Sequence, residues 1–176
     1  MAFYDNQVNV MFDEAKLQAR LRELGAEITR DYKGQNLVVV GVLKGSVLFF
    51  SDLVRQIDLP LSIDFLGLSS YGSGTESSGV VRITSDLSRP IEGAHVLVVE
   101  DIVDTGLTMQ FLLENLKTRK PASVKICTLL EKPSRAKVKI PIGYKGFVIP
   151  DEFVVGYGLD FDEKFRNLPF IGVMRR

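Results

Sequence analysis

The chain has 176 residues, of which 45% are hydrophobic, enough for one compact domain with a full core. Its 22 basic and 22 acidic residues cancel, so no overall positive field favours nucleic acid or an anionic membrane. One cysteine and one histidine exclude an internal disulfide and disfavour most zinc sites and Ser-His-Asp hydrolases. We expect a single domain over residues 1–176, located in the cytoplasm, with no nucleic-acid or membrane partner.

The first third of the chain predicts a helix, a buried strand and a second helix. Apolar residues repeat at helical spacing over 14–31, and an unbroken apolar run over 37–42 indicates a strand covered on both faces. Helical spacing resumes over 47–57. The loop between strand and second helix contains Lys44 and Gly45, which either cap a strand end without further role or hold a phosphate group.

A polar, glycine-rich stretch separates the next two predicted strands. The strands cover residues 61–68 and 80–84, and the stretch covers 69–79. Such a segment is typical of a flexible hairpin tip. The alternative is a lid that closes over a site and excludes water during a reaction.

A third strand-to-helix junction carries the most informative residues. The apolar run 96–99 predicts a buried strand, and the spacing over 109–116 predicts an amphipathic helix. Between them stand Thr105, Gly106 and Thr108. The first amides of a helix lack intrahelical acceptors, and glycine permits close approach, so this turn suits a phosphate monoester.

Three acids stand beside that turn, at Glu100, Asp101 and Asp104. Two carboxylates about 5 Å apart repel by roughly 3 kcal/mol at an effective dielectric of about 20. An anionic ligand beside them therefore requires a cation such as magnesium, or a cationic transition state. The alternative is a solvated acidic turn at a strand end followed by an ordinary helix cap.

The last third predicts two further strands and an irregular tail. A strand over 123–130 contains Cys127, which we interpret as a small buried hydrophobe. A basic, loop-like stretch over 133–145 follows, then a short strand over 147–149 and a turn into residues 153–157.

Two segments resemble one known family. The segment VVEDIVDTGLTM, residues 98–109, resembles the phosphoribosyl pyrophosphate signature of the type I phosphoribosyltransferases, and IPDEFVVGYGLDFDEKFR, residues 149–166, resembles their hypoxanthine-guanine branch. The likeness runs from residue 37 to residue 166. It implies an α/β fold with a central, mainly parallel sheet flanked by helices, and a small hood built from N- and C-terminal segments.

The resemblance also assigns roles around the sugar and its phosphates. Asp104 is expected to act as general base, with Glu100 and Asp101 contacting the ribose hydroxyls or metal-bound water. Mg²⁺ is the expected cofactor, and Asp160 would serve a second ion. The expected phosphate contacts are Thr105, Gly106, Leu107 and Thr108 for the 5′-phosphate, and Lys44, Gly45, Ser70, Tyr71 and Arg166 for pyrophosphate. Leu107 replaces a basic residue common in the family, and we expect its amide to matter more than its side chain.

A separate set of residues is expected to bind the purine. By the resemblance Phe153 stacks on the ring, Val154 offers backbone groups to its edge, and Lys132 donates to the 6-oxygen. An ammonium can only donate, so it accepts a 6-oxopurine and disfavours adenine. From the residues alone, Phe153 could equally be ordinary core and Lys132 a solvated lysine.

The resemblance implies transfer of a 5-phosphoribosyl group from phosphoribosyl pyrophosphate to N9 of hypoxanthine, and of guanine. A xanthine-guanine or other purine transferase is the second possibility among enzymes. A nucleotide-binding regulator of RNA or DNA on the same fold is the alternative from another class, although such proteins need a basic face. The family also implies a homodimer or homotetramer.

Overall fold

The computed structural model describes residues 7–70 and 81–175. The helices in this part of the chain are α1 (Glu14–Asp31), α2 (Val47–Val54) and α3 (Leu107–Lys117), with a 3-10 turn at Pro133–Arg135. The strands are β1 (Val8–Phe12), β2 (Leu37–Leu43), β3 (Leu61–Ser70), β4 (Val81–Ser85), β5 (His95–Val103), β6 (Ser123–Glu131), β7 (Ile142–Val148), β8 (Val154–Val155) and β9 (Ile171–Met174).

Six strands form the central sheet, in the order β4-β3-β2-β5-β6-β7. All neighbours are parallel except β3 and β4, which pair antiparallel. The carboxyl ends of β2, β3, β5 and β6 therefore meet at one edge, where ligands bind in open sheets of this kind.

Both faces of the sheet are buried, as the unbroken apolar runs predict. Along β2, Val39 belongs to a core with α1 and α2, while Val40 belongs to a core with α3. The Asp13 carboxylate caps α1 by accepting from the Lys16 amide at 2.8 Å. Burial of the four apolar residues facing the sheet from α1, Leu17, Leu21, Leu24 and Ile28, confirms its predicted face.

A second, three-stranded sheet joins the two ends of the chain, in the order β1-β9-β8 and entirely antiparallel. Its small core contains Val8, Val155, Phe165 and Leu168. Together with the central sheet and its helices, this hood confirms the expected α/β architecture.

The structure differs from the sequence-based expectations at several element ends. β5 continues through both acids to Val103, so Glu100 and Asp101 are strand residues and not part of a loop. β7 begins at Ile142 inside the stretch expected to be irregular. Its glycines and lysine hide the apolar alternation, and as an edge strand it needs only one partner.

No helix within residues 7–70 and 81–175 is long and apolar enough to cross a bilayer.

Candidate active site

The turn after β5 encloses a cavity of about 210 Å³. Its lining includes Thr105, Gly106 and Thr108, together with the three acids that precede them. Gly106 has a φ of 82°, and a Cβ there would press on the Val138 carbonyl oxygen. The turn therefore requires glycine, and it leaves a concave surface of backbone and hydroxyl groups at the start of α3.

Leu107 begins α3 but is not among the residues that line this cavity. Its amide donates to the Thr105 hydroxyl at 3.4 Å. The structure thus gives the Leu107 amide a local role and leaves its side chain half-buried.

The acid pair on β5 consists of a buried carboxyl, Glu100, next to a half-buried one, Asp101. The Glu100 side chain is buried, and burial raises the pKa of its carboxyl well above the usual range; the hydrogen bond with Asp101 and the charge of Asp101 raise it further. The Glu100 carboxylate also accepts from the Asp101 amide at 3.3 Å. Full ionisation of this pair is therefore costly without a cation nearby.

A second cavity, of about 560 Å³, adjoins the first and shares Asp101, Ile102 and Asp104 with it. The remaining lining residues are Lys132, Arg135, Asp151, Phe153, Val154, Leu159 and Asp160. The candidate general base, the candidate base-binding residues and Asp160 thus share one cavity. Glu100 lines only the smaller one.

Phe153 and Lys132 are not the ordinary residues that the sequence also allowed. Phe153 is 52% exposed, its ring 5.6 Å from that of Phe161 and nearly perpendicular to it. It is therefore not a core residue. Lys132 is 8% exposed, with Nζ 3.9 Å from an Asp151 carboxylate oxygen. It is therefore not a solvated lysine.

Arg135 is a charged residue of the site that the sequence analysis missed. Its Nε lies 2.9 Å from Asp104 Oδ1, and its Nη1 lies 3.5 Å from the Asp151 carboxylate. Asp104 first, and Asp151 second, raise the pKa of this guanidinium. Within the described part of the chain, Asp104 Oδ1 is buried without a well-aligned hydrogen bond. The only sequence signal was a basic residue one turn after Lys132.

The loop after β2 approaches the acids from the neighbouring strand. The peptide bond between Leu43 and Lys44 is cis. A Cβ at Gly45 would overlap the Asp101 carboxylate, and a Cβ at Gly158 would overlap the Gly45 carbonyl oxygen. This loop thus lies in close contact with the Asp101 side chain on β5 and with the backbone of the C-terminal segment.

Lys44 and Arg166 meet through Glu163, which the sequence analysis also missed. Lys44 Nζ lies 2.9 Å from Glu163, and Arg166 Nη2 lies 3.3 Å from it. Arg166 also pairs with Asp160 at 2.8 Å. Neither Lys44 nor Arg166 lines the two cavities described above, but Asp160, which pairs with Arg166, lines the larger one.

Two expected site residues cannot be placed in this way. Ser70 ends β3 and pairs with Val81, but its side chain and all of Tyr71 lie outside the described residues.

The expected metal ligands form no compact group: among residues 7–70 and 81–175, no cluster of three or more His, Cys, Asp or Glu side chains is arranged to hold an ion.

Residues 11–162 match the family model described as phosphoribosyl transferase domain. The chain belongs to the type I phosphoribosyltransferase family.

Relatives in that family are similar over nearly the whole chain. A hypoxanthine phosphoribosyltransferase from Haemophilus influenzae is 52% identical, with 95% of each chain covered. A solved hypoxanthine phosphoribosyltransferase from Staphylococcus aureus is 50% identical, with a TM-score of 0.95 over 99% of this chain and 95% of that one. These similarities place the chain in the hypoxanthine-guanine branch.

A third relative is much longer. The bifunctional protein TilS/HprT of Listeria monocytogenes is 52% identical over 94% of this chain, but the matched region is only 26% of that protein. The chain thus spans about a quarter of the length of this Listeria relative.

Proposed function

We propose that the chain transfers the 5-phosphoribosyl group of phosphoribosyl pyrophosphate to N9 of hypoxanthine or guanine, releasing pyrophosphate and forming IMP or GMP for purine salvage. The observation that carries this is one cavity that contains Asp104, Lys132 and Phe153 and adjoins the turn at Thr105. The names of the relatives support the same reaction, and none of those reported above is a regulator.

The sugar phosphate is assigned to the smaller cavity. Amides and hydroxyls of Thr105, Gly106 and Thr108 supply donors to the 5′-phosphate at the start of α3. The acids on β5 then face the ribose. Cleavage at C1′ leaves an oxocarbenium-like centre, and carboxylates fixed nearby stabilise its positive charge.

The purine is assigned to the larger cavity, where three residues divide the work. Phe153 stacks on the ring, which contributes about 1 to 3 kcal/mol whichever base is bound. Val154 offers its backbone to the edge of the base, and Lys132 donates to the 6-oxygen. A 6-amino group facing this buried ammonium leaves a donor unsatisfied, at a typical cost of about 1 to 3 kcal/mol.

Asp104 is assigned as general base. Positive charge develops on the purine as N9 bonds to C1′, and the N7 proton is then lost. Arg135 pairs with Oδ1 of Asp104 at 2.9 Å, and the carboxylate offers about four lone-pair positions, so it keeps the acceptor capacity that this role requires.

The donor set also fits magnesium, which usually takes one or two carboxylates and completes its shell with water and substrate phosphates. Asp101 and Asp160 line the same cavity, and the Glu100 carboxyl next to Asp101 is buried. These residues, with Glu100, would hold Mg²⁺ beside the diphosphate. When bound, the ion neutralises the leaving group. Lys44, Gly45, Ser70, Tyr71 and Arg166 remain assigned to pyrophosphate.

Pyrophosphate release with each of four bases tests the proposal. Wild-type protein is incubated with phosphoribosyl pyrophosphate and hypoxanthine, guanine, xanthine or adenine, with and without MgCl₂. We expect magnesium-dependent release with hypoxanthine and guanine and none with adenine. Turnover of adenine alone would overturn the assignment of the purine cavity, and no turnover with any base would overturn the proposed reaction.

The assembly and location of the protein are further parts of the proposal. A solved hypoxanthine phosphoribosyl transferase from Trypanosoma cruzi is 42% identical to this chain, with a TM-score of 0.89. In that protein the C-terminal region has a role in the oligomeric state. We propose a homodimer or homotetramer, to be measured by light scattering. A cytoplasmic location stays a prediction.

A further inference from the structure

Glu163 occupies the space between the two cations assigned to pyrophosphate. One carboxylate oxygen lies 2.9 Å from Lys44 Nζ, and the other lies 3.3 Å from Arg166 Nη2. Lys44 first, and Arg166 after it, hold the pKa of this carboxyl below its usual range. The two carboxylate oxygens of Glu163 thus bridge both cations.

Arg166 does not need Glu163 to hold its position. Its Nη1 donates to the Gly158 carbonyl oxygen at 2.8 Å, and its Nη2 pairs with Asp160 at 2.8 Å. For Lys44 the situation differs. Within residues 7–70 and 81–175, Glu163 is the one carboxylate in ion-pair contact with its ammonium.

The backbone around Glu163 is fixed, so only its side chain is free to move. Phe161 and Lys164 exchange backbone hydrogen bonds of 3.1 and 3.0 Å across the turn. The Glu163 amide donates to Asp160 at 2.9 Å. The side chain itself is 65% exposed and can rotate away without disturbing the turn.

We propose that Glu163 is an internal competitor for the pyrophosphate end of the substrate, and that it sets the affinity for phosphoribosyl pyrophosphate. This inference rests on the proposed function. A diphosphate brings more negative charge and more acceptor oxygens than one carboxylate, so it displaces Glu163 from Lys44 and Arg166. Breaking these two pairs weakens binding of the diphosphate, because part of its interaction with the cations replaces one already made.

The replacement Glu163→Gln tests this through a split between kinetic constants. An exposed ion pair contributes at most about 1 kcal/mol, which corresponds to about fivefold in affinity. We expect the KM for phosphoribosyl pyrophosphate to fall by about two- to fivefold. The KM for hypoxanthine and kcat should change by less than about twofold, because neither depends on the bridged cations being free.

Asp162→Asn provides the matched control. Asp162 is the adjacent exposed acid, shares the left-handed backbone of Glu163 with a φ of 50°, and pairs with Lys164 instead of Lys44. We expect all its kinetic constants to match wild type. Should Glu163→Gln fail to fold, Glu163→Asn replaces it, because asparagine tolerates this backbone conformation.

An unchanged or higher KM for phosphoribosyl pyrophosphate in the Glu163 variant would overturn the inference, since a residue that merely positions Lys44 gives that result. Calorimetric binding of inorganic pyrophosphate with MgCl₂ separates this test from the proposed reaction. Tighter binding in the variant supports the competitor role even if wild-type protein turns over no base. Equal or weaker binding contradicts it.

Discussion

Asp104 stands between a cation and the space assigned to the purine. Arg135 Nε is 2.9 Å from its Oδ1, and both residues line the cavity that contains Phe153. The guanidinium fixes the carboxylate while leaving it acceptor capacity, because a carboxylate offers about four lone-pair positions. Arg135 therefore orients the candidate base before any ligand arrives.

Replacing Asp104 by asparagine should remove the proton acceptor while keeping the shape of the cavity. General base catalysis contributes about 10² to 10⁴ in rate, so we expect kcat with hypoxanthine to fall within that range. Asp151→Asn, which removes the other carboxylate next to Arg135, serves as the control and should lose less than about tenfold. Near-normal turnover by Asp104→Asn would contradict the base assignment.

The sequence predicted the site residues that stand at the ends of strands. It did not predict those whose place in the site depends on an ion pair with a distant residue. Asp104 and Lys132 follow buried strands, so the parallel topology predicts that they share one edge. Glu163 pairs with Lys44 across 119 positions, and nothing local marks such a pairing. Arg135 was missed for the same reason, because its partner Asp104 belongs to the turn after a different strand, β5.

Among the elements, the backbone at Gly45 is crowded by the backbone at Gly158 on one side and by the Asp101 side chain on the other. Gly158 has a φ of 103°, and a Cβ there would overlap the Gly45 carbonyl oxygen. Gly45 in turn lies against the Asp101 carboxylate. The loop after β2, the strand β5 and the C-terminal segment are therefore placed relative to one another by two glycines.

Gly158→Ala should displace this junction, whereas Gly34→Ala should not. Both glycines have positive φ, 103° and 77°, but only Gly158 is crowded. We expect Gly34→Ala to lower the free energy of unfolding by about 1 to 2 kcal/mol through backbone strain alone. Gly158→Ala should cost more and should also lower kcat/KM. Thermal unfolding and turnover measure both; equal losses of stability with full activity would contradict the steric argument.

The end of α1 is attached to the edge strand β7 by one hydrogen bond. The Tyr144 hydroxyl donates to Asp31 at 2.9 Å and is the main cause that lowers the pKa of this carboxyl. Since the folded-state pKa is depressed, the stabilisation is present above the unfolded pKa of about 4 and is lost as pH falls through the folded value.

Tyr144→Phe should therefore destabilise the protein in a pH-dependent way. We expect a loss of about 1 kcal/mol in the free energy of unfolding at pH 7, shrinking as pH falls below about 4. Urea denaturation across this range measures it. In the double variant with Asp31→Asn, the two losses should not add. A loss that is constant with pH would point to packing instead.

The sequence predicted α1 well because its apolar face repeats over many turns and ends at a polar segment. It did not predict β1 or β9. These strands have five and four residues, each with exposed or partly exposed positions, and their pairing joins opposite ends of the chain. Periodicity carries too little signal in so short a segment, and the partner is not local.

In the whole molecule, the proposed binding of the sugar phosphate depends on the six-stranded sheet, and the proposed binding of the purine depends on the small sheet. The carboxyl edge of the six-stranded sheet carries the turn at Thr105, whereas Val154 belongs to the small sheet and Phe153 directly precedes it. Disturbing the small sheet should therefore affect the purine more than the sugar phosphate.

Gly172→Val tests this division. In β9 a Cβ at this position would overlap Val8 and the Asn9 carbonyl oxygen of β1. We expect the KM for hypoxanthine to rise by about tenfold or more, in line with the roughly 1 to 3 kcal/mol that stacking contributes. The KM for phosphoribosyl pyrophosphate should change by less than about threefold. Equal increases in both would show that the sheets do not act separately.

The pairing of β1 with β9 also orders events during protein synthesis. Every strand of the central sheet precedes residue 149, whereas the strand that closes the small sheet, Ile171–Met174, is synthesised after all of them. A nascent chain can therefore assemble the cavity at Thr105 first. The proposed nucleobase site is completed only after Ile171–Met174 has been synthesised and has paired with β1.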